Sequence, residues 1–182
     1  MTRLAPAILL LSAAVAAADD KPQTPAEKLA AIQKEYKDAE AGYRKAVEAL
    51  PDTPEGEKKA AEVWKAYDKG QADRFAAAVE VARADPKSDA ALAALEWVLT
   101  IPRSYYLPAG KPALELLTEY HAASPKVAKT VAWVGYYLQD DRVESFAAGQ
   151  ALIDAVLAKN PDRTARGQAA MAKAGEAGRK FA

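Results

Sequence analysis

Apolar positions recur along this chain at spacings of three and four, the period of one helix face, and no run alternates apolar with polar as a half-buried strand would. Leu29, Ile32, Tyr36, Ala39, Tyr43, Ala46 and Leu50 form a heptad-like seam, which suits a long helix lying along another helix. Thr24-Pro25-Ala26-Glu27 opens that helix, with Thr as N-cap, Pro at the first helical position and Glu placed to close a capping box. An antiparallel hairpin within the chain satisfies the seam, and so does pairing with a second chain; two seam positions are only alanine, which favours the hairpin.

Thr53-Pro54-Glu55 repeats the same start signal after the break at Pro51. It predicts a second helix carrying Val63, Trp64 and Tyr67, with Gly70 as its C-terminal stop. A third helix is then predicted from Asp73, with Phe75, Val79 and Ala82 turned inward, ending before Asp85-Pro86.

From Ser88 to Ile101 the pattern changes: ten of the fourteen residues are apolar and they do not keep to one stripe. Ala91, Leu95 and Val98 form one face, Leu92 and Leu99 lie beside it, and Ala94, Trp97 and Ile101 form another. A helix apolar nearly all round must be covered on several sides, so this one is expected at the centre of the fold. Pro102, Pro108 and Gly110 then forbid regular structure over Ile101–Lys111, a connection rich in Tyr105, Tyr106 and Leu107. Further helices are predicted from Pro112 (Leu114, Leu117 and Tyr120), from Ser124-Pro125 (Val127, Val131, Val134 and Leu138), from Arg142 to Lys159 (Phe146, Ile153, Val156 and Leu157), and from Arg163 to the end.

These runs predict an all-α fold of antiparallel helical hairpins, stacked in a solenoid-like array behind the long N-terminal heptad helix. The X-Pro steps at Asp85-Pro86, Ser124-Pro125 and Asn160-Pro161 fall 39 and 36 residues apart, near the period of two-helix repeats. The expected organisation is a signal peptide over 1–18, a flexible leader over 19–23, an N-terminal hairpin over 24–70 and a helical-repeat-like domain over 71–182. The signal peptide rests on Arg3, the apolar run Leu4–Val15 and the small residues before Asp19-Asp20, with cleavage expected near Ala18. An exported protein, periplasmic or extracellular, follows from that reading.

Composition mostly removes possibilities. Lys plus Arg and Asp plus Glu each number 25, so charge gives no case for nucleic acid or an anionic membrane as partner. The absence of cysteine excludes disulfides, thiol catalysis and iron–sulfur ligation, and one histidine makes an all-protein zinc site a poor expectation. Neither a Gly-rich phosphate loop nor an HExxH or GxSxG motif occurs. Accordingly no catalytic residue, cofactor or metal ligand is expected, and no transmembrane segment after the signal. His121, near a helix end, reads as a capping or surface residue. Asp140-Asp141 lacks calcium-loop spacing, and Glu96 is expected at a rim or paired with a base such as Arg103.

Phe75-Ala76, Pro86, Asp89-Ala90-Ala91, Ala94-Leu95 and Trp97-Val98 resemble the all-helical segment upstream of thioredoxin-like (TlpA/redoxin-type) domains in exported bacterial proteins. The resemblance continues through Ala113, Leu116-Leu117, His121 and Ser124, and resumes at Asn160-Pro161, Arg163 and Arg166-Gly167-Gln168-Ala169. It implies a helical module of that kind and a thioredoxin-like redox protein as partner. With no C-x-x-C here, it carries over no redox residue. A more distant similarity is to tetratricopeptide-type repeats, which bind peptides along a concave face.

The aromatic residues are the functional lead, because Tyr, Trp and Arg dominate binding hot spots. Trp133 and Tyr137 are i, i+4 neighbours away from the Val127, Val131, Val134 stripe, with Tyr136 beside them. Trp97 lies off the main face of its helix, and Tyr105 and Tyr106 sit in the long connection next to Arg103. Core packing is the alternative role for such rings. The expected function is a non-enzymatic module mediating protein–protein interaction in the bacterial cell envelope, with a protein or peptide partner. Two alternatives are a small-ligand or glycan-binding protein using an aromatic groove, and an accessory of a thioredoxin-like protein.

Overall fold

The structure, a computed structural model, describes residues 22–137 and 143–179. The signal segment, Leu138 and Asp140-Asp141 lie outside the described residues. Among the described residues there are seven α-helices and no strand: α1 (Pro25–Glu48), α2 (Pro54–Ala84), α3 (Asp89–Leu99), α4 (Gly110–His121), α5 (Ala128–Tyr137), α6 (Phe146–Lys159) and α7 (Arg163–Arg179). The expectation of an all-α protein holds.

α1 starts on the capping box: the Glu27 N–H donates to Thr24 Oγ1 at 3.2 Å and the Thr24 N–H donates to Glu27 Oε2 at 2.7 Å. Its seam packs on α2 of the same chain. Tyr36 meets Phe75 while Tyr43 meets Tyr67, so the two helices run antiparallel and the seam is satisfied as a hairpin.

α2 differs from expectation. It runs unbroken through Gly70 for 31 residues. A helix-ending glycine adopts a left-handed backbone, and no described glycine has a positive φ. A glycine inside a helix costs about 1 kcal/mol. That is small beside the continuous face of Phe75, Ala78, Val79 and Ala82 that the unbroken helix buries. The bare Cα at Gly70 also makes room for Arg74, since a Cβ there would stand 2.8 Å from Arg74 Nη1.

α3 is the central helix. Ser88 caps it by accepting from the Ala91 N–H at 3.1 Å. Ala91, Leu92, Ala94, Leu95, Val98 and Leu99 are all buried, and α1, α2, α4 and α5 each pack against it. The helices also meet their next-but-one neighbours: α1, α3, α5 and α7 contact in succession, and so do α2, α4 and α6. α5 and α7 come close enough that a Cβ on Gly135 would lie 2.4 Å from the Ala172 Cβ.

The three X-Pro corners come together on one edge. Lys126 pairs with Asp89 at 2.8 Å, joining the second corner to the start of α3. Asn160 Nδ2 donates to the carbonyls of Ala122 and Ser124 at 2.7 and 2.8 Å, joining the third corner to the second. His121 belongs to this edge, and its expected place on the surface is overturned: it is 6% exposed. The end of α4 tucks beneath the Pro86 corner, so the ring is covered and hydrogen-bonds the Pro86 backbone. Burial, the larger effect, pulls its pKa below the ordinary histidine value, and the Pro86 bond and Asp89 partly restore it.

Candidate functional site

The seven residues singled out from sequence fall into four environments. Trp97 is half-buried between α1, α2 and α3, with Tyr36 and Phe75 each 5.6 Å from its ring. It is inter-helix filler. Edge-to-face contacts of this kind are worth about 0.5–1.5 kcal/mol each beyond the area they bury.

Tyr105 is only 1% exposed, so a partner cannot reach its ring. Its hydroxyl donates to the Leu99 carbonyl at 2.5 Å, satisfying an otherwise open acceptor at the end of α3. Pro102 starts a 3-10 turn over Pro102–Tyr106, and that turn aims Tyr105 inward while Tyr106 stays 54% exposed. Ser145 Oγ then donates to the Tyr105 carbonyl at 2.9 Å and anchors the start of α6 on the turn.

Arg103 was expected near Glu96, but its partner is Asp68 on α2, held through two bonds of 2.7 and 2.8 Å. Its guanidinium also lies 5.9 Å from the Trp64 ring centre, beside the stacked Tyr43 and Tyr67. This second aromatic group, with Trp64 41% exposed, was not singled out as a site from sequence. The available signal was the i, i+3 spacing of Trp64 and Tyr67 opposite the seam residue Tyr43. Glu96 instead accepts from Thr130 Oγ1 on α5 at 3.5 Å. Burial raises its carboxyl above the ordinary range, and Thr130, Lys126 and Lys129 pull it back down.

The remaining residues do gather. On α5, Trp133 and Tyr137 stack at 5.1 Å with an interplanar angle of 10°, and Tyr136 stands edge-on to Tyr137 at 4.9 Å. The helix period makes this inevitable: once Val127, Val131 and Val134 take the core face, Trp133, Tyr136 and Tyr137 must share another. Tyr136 is 65% exposed, and the group with Ala132 lines an open cleft of about 460 Å³. Tyr137 stacks on Tyr105 at 6.2 Å, which joins this face to a second cleft of about 540 Å³. Tyr106, Leu107 and Pro108 form one wall of the second cleft, and Lys111 pairs with Glu144 across it at 3.6 Å.

Such a surface offers ring faces, phenol hydroxyls and one ion pair, which is the chemistry of recognition. No group of three or more His, Cys, Asp or Glu side chains placed to hold a metal ion occurs among the described residues. Nor is any described helix long and apolar enough to cross a membrane. Comparison with protein-family models, with curated proteins and with solved structures found no match to this chain.

Proposed function

We propose that this chain is an exported, non-enzymatic helical module that binds a protein or peptide partner in the cell envelope through the aromatic face of α5. The observation that carries the reading is the clustering of Trp133, Tyr136 and Tyr137 with one side open. Rings that share a rigid helix face lose little entropy on binding and remove a large area from water. The two families of next-but-one contacts support reading the helices as a solenoid-like array, an architecture that presents extended binding surfaces. Export rests on the N-terminal sequence pattern alone.

The test is capture from native envelope extract with light cross-linking, comparing Asp19–Ala182 with its Trp133→Ala/Tyr136→Ala variant. Circular dichroism verifies that the variant keeps its helix content. A partner held by the first and lost by the second supports the reading, and no captured partner with either sinks it. A thioredoxin-like protein among the captured partners would favour the accessory role.

One observation favours a small ligand instead: the cleft at Tyr106 and Lys111 has a volume typical of ligand sites. Thermal-shift screening with mono- and oligosaccharides tests that reading. Stabilisation that Tyr106→Ala abolishes would carry it.

A further inference from the structure

Far from α5, α1 and the C-terminal half of α2 leave an open groove of about 580 Å³. Ala31, Ile32, Ala77 and Val81 are part of its apolar lining, Lys28 and Glu35 stand with them on α1, and Glu80 on the α2 wall pairs with Arg83 at 2.6 Å. Neither Lys28 nor Glu35 has an ion-pair partner among the described residues.

We propose that this groove is a self-association surface, in which α1 of a second copy lies antiparallel against α1 of the first. The argument is charge complementarity under a two-fold axis. Lys28 and Glu35 are seven residues apart, two helical turns, and therefore share a face. An axis passing between Ala31 and Ile32 sets Lys28 of each copy opposite Glu35 of the other and Ala31 opposite Ile32. Within this register no like charges meet along α1: the levels of Glu27, Lys34, Lys37 and Asp38 are matched in the second copy by the uncharged Tyr36, Leu29, Ala26 and Pro25, of which Leu29 and Tyr36 stay packed on their own chain. A parallel pairing would instead set Lys28 against Lys28 and Glu35 against Glu35. The antiparallel overlap runs from Pro25 to Asp38, about 21 Å of helix. So short an overlap makes a weak dimer, at the small end of specific interfaces.

Sedimentation equilibrium of the protein as the expressing cell processes it, from roughly 10 μM to 1 mM, is the experiment. A dimer should grow in over that range and weaken several-fold between about 0.05 and 0.5 M salt. Lys28→Glu and Glu35→Lys should each raise its Kd by about tenfold or more, because each sets like charges opposite one another twice. An equimolar mixture of the two variants should recover association, since the heterodimer regains opposite charges at both pairs, and so should the double variant. A wild-type protein monomeric throughout overturns the proposal. So does a dimer indifferent to both reversals and to salt.

Discussion

Arg103 closes on Asp68 as a bidentate pair, Nε on Oδ1 at 2.7 Å and Nη2 on Oδ2 at 2.8 Å, across 35 positions of sequence. The pair pins the 3-10 turn that carries Tyr105 and Tyr106 to the middle of α2, and it holds the guanidinium against Trp64. The Arg103 side chain is 40% exposed, so solvent screens the attraction and the fork geometry matters more than the charge. Arg103→Lys keeps the charge and loses the fork. It should cost about 1 kcal/mol or less in urea unfolding, with a shift in Trp64 fluorescence.

The same pair has a pH signature. Hydrogen bonding to Arg103 holds the Asp68 carboxyl below its ordinary pKa. Its stabilisation is therefore full above the unfolded carboxylate value of about 4 and disappears as pH falls through the lowered folded value. Asp68→Asn should flatten that part of the acid limb in thermal melts between about pH 4 and pH 2. An unchanged slope would mean that the pair contributes nothing measurable.

His121 titrates with the opposite consequence of burial. Its folded pKa lies below the ordinary histidine value, so the folded state resists protonation. Stability is full above the unfolded pKa of about 6.5 and falls as pH drops from there toward the lowered folded value. Nε2 is buried without a hydrogen-bond partner, and the charged group that acts on the ring is Asp89, itself paired with Lys126. His121→Gln should remove the loss between about pH 7 and pH 5, at the cost of some packing at neutral pH. Thermal melts across that range decide it, and a parallel loss in both proteins would contradict the assignment.

Adjacent tyrosines should behave as different residues. Tyr105→Phe deletes the donor to the Leu99 carbonyl and leaves a buried acceptor open, costing about 1–3 kcal/mol. Tyr106→Ala removes an exposed ring and should change stability by about 0.5 kcal/mol or less. Urea denaturation of both variants checks the contrast, and similar losses would contradict the inward aim of the turn.

Much of this arrangement was legible because caps and periodicity act locally. Thr24, Thr53 and Ser88 cap the helices their sequence context predicts, and Leu29, Leu95, Leu114, Val131 and Val156 lie on the faces their spacing assigns. The continuation of α2 through Gly70 was not legible, because a glycine signals both an end and a tolerated interior position. Only the packing of α2 against α1 and α3 decides between them. The aromatic face of α5 followed from helical spacing alone. The split between Tyr105 and Tyr106 did not, since it depends on how a proline-led turn meets the end of α3. His121 was misplaced for a similar reason: its cover comes from a corner 35 residues earlier in the chain, at Pro86.

Asn160 offers the most direct test of how the corners are joined. It is 3% exposed and spends both amide hydrogens on carbonyls of the preceding corner, while its Oδ1 accepts from the Asp162 N–H at 2.9 Å. Asn160→Ala leaves those carbonyls without their donor and should cost about 1–3 kcal/mol, with little dependence on pH. Asn160→Asp keeps the shape but turns a carboxylate oxygen toward two carbonyl oxygens. The ionised form is disfavoured there, so the folded pKa of the new carboxyl rises above its unfolded value. The added penalty is full at neutral pH and shrinks as pH falls through the raised value, because the protonated acid can again donate one hydrogen bond. The Tm gap between Asn160→Asp and wild type should thus be wide at pH 7 and narrower near pH 4. A gap that stays constant, or a wild-type-like Asn160→Ala, would show that the corners do not depend on this side chain.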